Sequence, residues 1–369
     1  MAGIKLGLPQ IMIEFKTKGV SAVVRSARGI VALILKDDTG AFDTKVYKSI
    51  SEVEDGHWTE DNRDYILKTF MGTPSKVIVE RIPTTDTNYN KGLERLKNKK
   101  WNYLAVPGIK SADVTTVASW IAGERQNNKK TFKAVLPNSP SDNEGIINFT
   151  TEGIKVDRKT IKDGKSETVE HTYSASDYTC RIAGILAGIP FTRSSTYYGL
   201  SEVKAITESA TPNVDIDKGK LILVNDGTKI KIGRGVNSLT SLTASKGAEF
   251  QKIKIVDAVD LMRDDIRDTF DGSYVGKIIN SYDNKILFLA AVNAYFEQLE
   301  KDDVLDNSYD NKAQIDVEAQ RIYLMPKGVD VDNMKEQEIK EYNTGSKVFV
   351  KAQVKFLDAM EDLAMEINM

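Results

Sequence analysis

The sequence predicts a multi-domain α+β fold built around a layered α/β core. Its 369 residues exceed the usual length of one domain and suggest two or three. From about residue 20 to residue 138, strand-like and helix-like segments alternate, which is typical of a sheet covered by helices. Both chain ends carry apolar residues at every second position, which is the period of a β-strand. The chain therefore combines a layered interior with extended ends.

The elements of the layered core follow in order along the first half of the chain. The apolar run at 29–35 predicts a buried strand, because no polar residue interrupts it. An amphipathic helix follows at 61–72 and ends at a glycine, as helices often do. The further predicted elements are a strand at 75–82, a helix at 89–100, a strand at 101–108, a helix at 113–128 and a strand at 130–138.

The second half predicts a polar meander, a tightly packed helix and a hairpin. Polar strands are expected within 147–171. The next helix carries small residues at helical spacing, Gly184 and Gly188 among them, which predicts close packing against another helix. The turn sequence at 225–227 predicts a hairpin. The remaining predicted elements are a strand from Ile253 followed by an acidic helix, a helix at 284–304 and a strand region at 314–328.

Charge and hydropathy exclude two classes of partner. The net charge of −2 sets up no strong field for nucleic acid. No apolar run approaches the roughly 20 residues that a membrane helix needs. The first residues also lack the charged region and apolar core of a signal peptide. We therefore expect no nucleic-acid partner and no insertion of this chain into a membrane.

The sequence shows no recognisable catalytic or metal motif, although residue counts alone leave a Ser-His-Asp relay open. Cys180 is the single cysteine, and His57 and His171 are the two histidines, too few for the usual zinc site. No GxGxxG follows a strand and no GxSxG occurs, so the common nucleotide-binding and nucleophile motifs are missing. We predict no catalytic residue, no metal and no cofactor.

The two chain ends are the strongest candidates for a functional feature. Each is a strand-like arm attached through a joint that contains a glycine, Gly19 near the start and Gly345 near the end. Such arms can add a strand to a free sheet edge of another subunit. The apolar arm positions are Ile4, Leu6, Leu8, Ile11, Ile13 and Phe15 at the N-terminal end and Leu363, Met365, Ile367 and Met369 at the C-terminal end.

Several segments occur in an order that is typical of one family. They are GLPQIMIEFKTKGVSAVVRSARGIVALI, SDYTCRIAGILAGIPFTRSSTY, KIGRGVNSLTSL, FQKIKIVDAVDLMRDDIRDTF, KILFLAAVNAYFEQLEKDDVL and the closing pair of strand-like segments. The ordered set resembles the contractile tail sheath family of phages, defective prophages and R-type bacteriocins. It is most similar to the short sheath proteins of Gram-positive phage-tail-like particles, and the resemblance spans essentially the whole chain.

The resemblance implies a structural function that consumes no nucleotide. Sheath subunits of this family form stacked six-fold rings around a rigid inner tube. When the baseplate is triggered, the sheath shortens and drives the tube through a cell envelope. The implied partners are neighbouring sheath subunits, the inner tail tube protein, and baseplate and terminator or collar proteins. The implied locations are the host bacterial cytoplasm during assembly and then a virion tail or a released phage-tail-like particle.

The resemblance also implies a division of the chain. It comprises an N-terminal arm at 1–20, outer α/β domains at 21–241, an inner domain facing the tube at 242–345 and a C-terminal arm at 346–369. The arms would complete the small sheet of the inner domain in neighbouring subunits.

Two groups of residues receive a role from this division. Gly19 and Gly345 would be hinges, unless they are ordinary turn glycines. The end of the predicted helix at 284–304 is the candidate tube-facing surface, although a solvated helix face explains the same charges. The charged residues concerned are Glu297, Glu300, Lys301, Asp302 and Asp303.

Two other classes of protein remain as alternatives. A soluble α/β hydrolase-type enzyme would need a concave site with converging acid, base or nucleophile groups, and the sequence shows no such group. The second alternative is a self-assembling protein of another kind, such as a tube or surface-layer subunit.

Overall fold

The computed structural model describes Val23, residues 29–162 and residues 165–369. These residues form two compact units, of which the larger contains residues 29–264 together with Phe356–Met369 and the smaller contains Asp265–Lys355. The predicted N-terminal arm, from Ile4 to Phe15, and the hinge predicted at Gly19 lie outside the described residues.

The larger unit contains most of the secondary structure. Its strands are β1 (Ile30–Lys36), β2 (Thr44–Tyr47), β3 (Lys76–Ile82), β4 (Tyr103–Ala105), β5 (Lys133–Pro137), β6 (Ile146–Phe149), β7 (Glu152–Lys162), β8 (Lys165–Tyr173), β9 (Val203–Thr207), β10 (Lys220–Leu221), β11 (Leu223–Asn225) and β12 (Ile230–Ile232). Its helices are α1 (Glu60–Phe70), α2 (Asn90–Leu96), α3 (Ser111–Asn127), α4 (Ala175–Gly188), α5 (Pro212–Asp217) and the first part of α6 (Ile253–Ser273).

Seven of these strands form one sheet in the order β10-β6-β5-β4-β1-β3-β2. Only the pairing of β2 with β3 is antiparallel within it. Val31 and Leu33 of β1 face an apolar cluster shared with α1 and α4, whereas Ala32 and Ile34 face a second cluster shared with α2 and α3. A parallel sheet that is covered on both faces requires strands that are apolar throughout. The predicted layered α/β core is therefore confirmed.

Helices α1 and α4 pack closely because glycines occupy the contact. A Cβ atom built on Gly184 would lie 2.1 Å from the carbonyl oxygen of Thr69 in α1. One built on Gly188 would lie 1.8 Å from the carbonyl oxygen of Gly72. Both distances are far inside van der Waals contact, so neither position admits a side chain without moving a helix. This confirms the close helix packing predicted from the small residues.

Two smaller sheets flank this core within the larger unit. Strands β8, β7 and β9 form an antiparallel sheet in that order, in the region predicted as a polar meander. Strands β11 and β12 form a hairpin in which Gly227 has a φ of +87°, a left-handed conformation that favours glycine. The hairpin predicted at this turn is confirmed.

Two segments that were predicted as strands contain helices. Helix α6 begins at Ile253, and Ile253, Val256 and Leu261 are all buried, so its apolar residues recur at helical spacing even though several are β-branched. The strand region predicted at 314–328 ends early, because the Asp316 side chain accepts a hydrogen bond from the Ala319 N–H at 3.1 Å and caps a helix. In both cases helix capping or burial outweighs local strand propensity.

The smaller unit contains one short sheet and several helices. Besides the second part of α6, its elements are α7 (Tyr282–Lys301), α8 (Val317–Leu324), α9 (Glu336–Glu341), β13 (Lys312–Ile315) and β14 (Val350–Gln353). Strands β13 and β14 pair antiparallel and form a two-stranded sheet. In the part of the chain that the structure describes, no helix combines the length and the apolar character needed to cross a membrane.

Candidate functional site

The apolar face of the two-stranded sheet is only half covered. Ala313 and Ile315 of β13 are 5% and 4% exposed. Their cross-strand partners are Ala352 and Val350, which share the same face of the sheet because paired residues point to one side. Both partners are exposed, Val350 to 39%. The buried face of β13 therefore continues onto β14 without cover.

The two edges of this sheet also differ. The Ala313 main-chain N–H donates a 2.7 Å hydrogen bond to Oδ1 of Asn293 in α7, and its carbonyl oxygen accepts one from Asn293 Nδ2 at 3.2 Å. The Asn293 side chain thus occupies the outer edge of β13. In an antiparallel pair, two opposite residues either hydrogen-bond to each other or both point their main-chain groups away from each other. Ala352 lies opposite Ala313, so its N–H and C=O also point away from β13. Among the described residues no strand pairs with that outer edge of β14.

Beyond the smaller unit, the chain is anchored to the larger one through Glu361. Its side chain is 5% exposed and accepts hydrogen bonds from Ser194 Oγ at 2.9 Å and Thr196 Oγ1 at 2.5 Å. Its carboxylate also lies 3.4 Å from Arg234 Nε and 3.3 Å from Lys252 Nζ. A buried carboxylate needs such partners, because desolvation without them is costly.

Neighbouring acidic residues strengthen this anchor. Asp358 pairs with Lys252, and Asp362 pairs with Arg234. Burial lowers the pKa of Lys252, but its hydrogen bond to Asp358 and the charge of Glu361 outweigh burial, so the pKa is raised overall. The hydrogen bond from Arg234 to Asp362 likewise raises the pKa of that guanidinium. The carboxylates of the segment therefore stabilise the charged form of both cations.

The residues after this anchor are exposed. Leu363, Met365, Ile367 and Met369 are each at least 70% exposed. None of residues 363–369 belongs to a strand or helix of this chain. Four large apolar side chains at alternating positions thus face solvent within one short segment, whereas soluble proteins usually limit such apolar patches.

The predicted hinge at Gly345 lies in a turn whose main chain is hydrogen-bonded by the side-chain amide of Asn280. Gly345 has a φ of +65°, and no atom lies within 4 Å of a Cβ built on it. Asn280 Nδ2 donates to the carbonyl oxygens of Gly345 at 2.7 Å and Lys347 at 3.0 Å, and to Thr344 Oγ1 at 3.2 Å. A left-handed glycine with free space around it fits a joint, but these bonds hold it in one conformation here.

The charged residues proposed for tube contact differ in their surroundings. Glu297, Lys301 and Asp303 are exposed around the end of α7. Glu300 accepts a 2.7 Å hydrogen bond from Asn311 Nδ2, and Asp302 accepts one from Gln298 Nε2 at 3.0 Å. Part of the predicted group therefore fixes local structure, and the rest faces solvent.

Sequence reasoning missed three side chains that shape this region, namely Asn293, Asn280 and Glu361. Each has a role only through residues that are distant in the chain, so spacing alone gives no sign of the two asparagines. The acidic run of Asp358, Glu361 and Asp362 between two apolar alternating segments was a usable signal for the anchor. The described residues contain no group of histidine, cysteine and carboxylate side chains arranged for a metal ion.

Comparisons with known proteins identify the family. The family model for the phage tail sheath protein central domain matches residues 83–238, and the model for the phage tail sheath C-terminal domain matches residues 245–369. The tail sheath protein of Clostridium phage phiCD119 is 40% identical over an alignment of 375 positions, and the alignment covers 98% of this chain and 99% of the relative.

Solved structures share the fold at low sequence identity. The sheath tail protein from Desulfitobacterium hafniense is 18% identical, with a TM-score of 0.65 over 83% of this chain and 94% of that one. The contracted helical sheath of the anti-feeding prophage is 12% identical, with a TM-score of 0.69 over 98% of this chain and 99% of that one. The hydrolase alternative receives no support from these relatives. The chain belongs to the phage tail sheath family and is a structural protein rather than an enzyme.

Proposed function

We propose that this chain polymerises as stacked six-fold rings around an inner tail tube and contracts to drive that tube through a target cell envelope. The energy is stored in the extended assembly, and no nucleotide is used. Subunits assemble in the host bacterial cytoplasm and end in a virion tail or a phage-tail-like particle. The tube protein, the baseplate and the terminator or collar proteins are the further partners.

One observation carries this proposal. The chain exposes an apolar segment of strand period at 363–369 and, separately, the free edge and bare apolar face of β14. A segment and an edge that both lack a strand partner among the described residues can be the two halves of strand addition between copies. The N-terminal arm, from Ile4 to Phe15, is proposed to act in the same way. A head-to-tail contact of this kind generates a filament when it does not close.

The energetics suit a lattice that stays connected while it rearranges. Each buried Leu, Ile or Met side chain contributes roughly 1.5–3 kcal/mol. Four of them give roughly 6–12 kcal/mol, and each main-chain hydrogen bond adds about 1 kcal/mol, before the cost of ordering the segment is subtracted. We propose that 242–345 is the inner domain, that 21–241 faces outward, and that 1–20 and 346–369 are the linking arms.

Assembly of the full-length chain tests this function. The purified chain should form hollow cylinders in negative-stain micrographs. Replacing both Met365 and Ile367 by Ser should abolish the cylinders while circular dichroism shows an unchanged fold. The matched control replaces Ala364 and Asn368 by Ser, on the other side of the same strand, and should still assemble. Small discrete oligomers of the unaltered chain would contradict the proposal.

The hinge and the tube contact need separate tests. We propose that Gly345 absorbs backbone change during contraction, so Gly345→Ala should slow contraction while rings still form, because a side chain is strained at positive φ.

We also propose that Glu297, Lys301 and Asp303 contact the tube through screened charges. Their joint replacement by Ser should weaken tube binding in a co-sedimentation assay, most clearly at low salt.

A further inference from the structure

The C-terminal segment and strand β14 match in both apolar and charged positions. Leu363, Met365, Ile367 and Met369 alternate with Ala364, Glu366 and Asn368. Val348, Val350, Ala352 and Val354 alternate with Phe349, Lys351, Gln353 and Lys355. Glu366 is the central residue on the polar face of the segment, and Lys351 lies near the centre of the polar face of β14.

We propose that residues 363–369 of one copy add antiparallel to the outer edge of β14 in a second copy, with Glu366 opposite Lys351. This inference rests on the proposed function and assigns the register and direction of its strand contact. All four apolar pairs then fall on one face of the enlarged sheet. They are Leu363 with Val354, Met365 with Ala352, Ile367 with Val350, and Met369 with Val348.

The hydrogen-bonding pattern of the sheet agrees with this register. Ala352 turns its main-chain groups outward, because Ala313 opposite it is engaged by Asn293. Because main-chain direction alternates along a strand, the N–H and C=O of Val350 also point outward, whereas those of Lys351 point towards β13. Met365 and Ile367 would therefore form the hydrogen-bonded pairs. Glu366 and Lys351 would form a non-hydrogen-bonded pair, in which side chains approach more closely.

Lys351 is available for this partner. Its ammonium lies 3.7 Å from Asp316 Oδ1, and the lysine side chain is half exposed. An exposed ion pair at that distance contributes little, so an incoming carboxylate can replace or join it. A shift of one residue would instead place the apolar side chains of the segment on the polar face of β14.

A cavity beside the start of β14 favours the antiparallel direction. It measures about 470 Å³ and is lined by Phe270, Tyr274, Phe288 and Val348. Met369 would lie opposite Val348, and methionine fills irregular apolar spaces well. The chain leading back to the Glu361 anchor would leave at the Lys355 end of β14, where the Lys355 side chain is 60% exposed.

Lys285 places one charged group in the lining of this otherwise largely apolar cavity. The residue lines the cavity and is 4% exposed, and burial lowers the pKa of its ammonium. A largely buried ammonium is stabilised when a hydrogen-bond acceptor approaches it. The end of an added strand brings main-chain carbonyl groups to this position.

Disulfide trapping between copies tests register and direction. Native Cys180 is fully buried, and burial raises the pKa of its thiol, so it should stay unreactive. Chains carrying Gln353→Cys are mixed with chains carrying either Ala364→Cys or Asn368→Cys, assembled and oxidised. Antiparallel addition places residue 364 opposite residue 353, whereas parallel addition in the same register places residue 368 there. Each single variant alone is the control for pairing between like cysteines.

We expect at least tenfold more crosslinked dimer with Ala364→Cys than with Asn368→Cys. The reverse ratio, equal yields, or cylinders without either crosslink would overturn the assigned register and direction while leaving assembly itself intact. If the unaltered chain forms no cylinders, the proposed function fails and this inference with it.

A charge reversal gives an independent measurement. Lys351→Glu and Glu366→Lys should each raise the critical concentration for assembly about two- to tenfold, since like charges then face each other. The double variant should return close to the unaltered value. Single variants without effect, or a double variant worse than either single one, would exclude the Glu366–Lys351 pair.

Discussion

The seven-stranded sheet and the two-stranded sheet of β13 and β14 differ in how far the described residues of one chain cover them. In the seven-stranded sheet, β1 is buried along most of its length and apolar clusters cover both faces. In the two-stranded sheet, Ala313 and Ile315 are buried, whereas the paired residues of β14 are exposed. The first sheet can be stable in a single subunit. The second leaves the apolar residues of one strand exposed, as we propose for a sheet that a strand of another copy completes.

The comparison separates stability from assembly. Changes in the seven-stranded sheet should lower the free energy of unfolding of the subunit. Changes at β14 or in residues 363–369 should leave that quantity almost unchanged and act on polymerisation. The following variants test this separation, beginning with the largest expected effect on the unassembled subunit.

Leu33→Ala should have the largest effect. Leu33 is fully buried at the centre of β1, so its truncation leaves a cavity and should lower the free energy of unfolding by about 2–5 kcal/mol. Urea unfolding followed by circular dichroism measures the change. A loss below 1 kcal/mol would mean that the core rearranges to fill the space.

Glu361→Gln should weaken the anchor of the C-terminal segment. The variant keeps the shape of the side chain but removes the charge that faces Arg234 and Lys252, at a cost of about 1–3 kcal/mol for a hydrogen-bonded buried charge. Limited proteolysis of the unassembled subunit should then cleave the last residues faster. Glu366→Gln, at an exposed position, is the matched control and should leave that rate unchanged.

Lys285→Met should stabilise the unassembled subunit by about 1 kcal/mol at pH 7, because it removes a charged group that burial disfavours. Burial lowers the pKa of Lys285 below its ordinary 10.5. Between the pKa of Lys285 in the folded subunit and its pKa in the unfolded chain, the unfolded chain binds more protons. Stability therefore rises with pH in this range, and the lysine destabilises the fold less. The advantage of the variant should therefore shrink in urea titrations as the pH rises towards 10.5. A variant less stable at pH 7 would show that the ammonium has a stabilising partner.

Val350→Thr should have the smallest effect on the subunit. Val350 is 39% exposed there, so the free energy of unfolding should change by less than about 0.5 kcal/mol. Polymerisation should nevertheless weaken, since the added strand would bury this side chain. Sedimentation across a concentration series measures it. Equal loss of stability and assembly would remove the distinction between the two sheets.

Local patterns predicted the elements whose stability depends on neighbours in the chain. The apolar run of β1, the turn at Gly227 and the small residues of α4 each imply one structure, and each was found. The start of α6 was misread because β-branched residues around Ile253 favour a strand locally. Its helical spacing becomes decisive only when another part of the chain covers that face.

By itself, the sequence determined the layered α/β core, the absence of the common catalytic motifs and the alternation at the C-terminal end. These features follow from side-chain type and spacing, which act over a few residues. Only the tertiary structure decided that Asn293 occupies one edge of the short sheet, that β14 is bare and that Glu361 anchors the segment before the exposed residues. Such contacts join residues that are 20 to more than 160 positions apart, and no local pattern encodes which distant group will satisfy a main-chain edge or a buried charge.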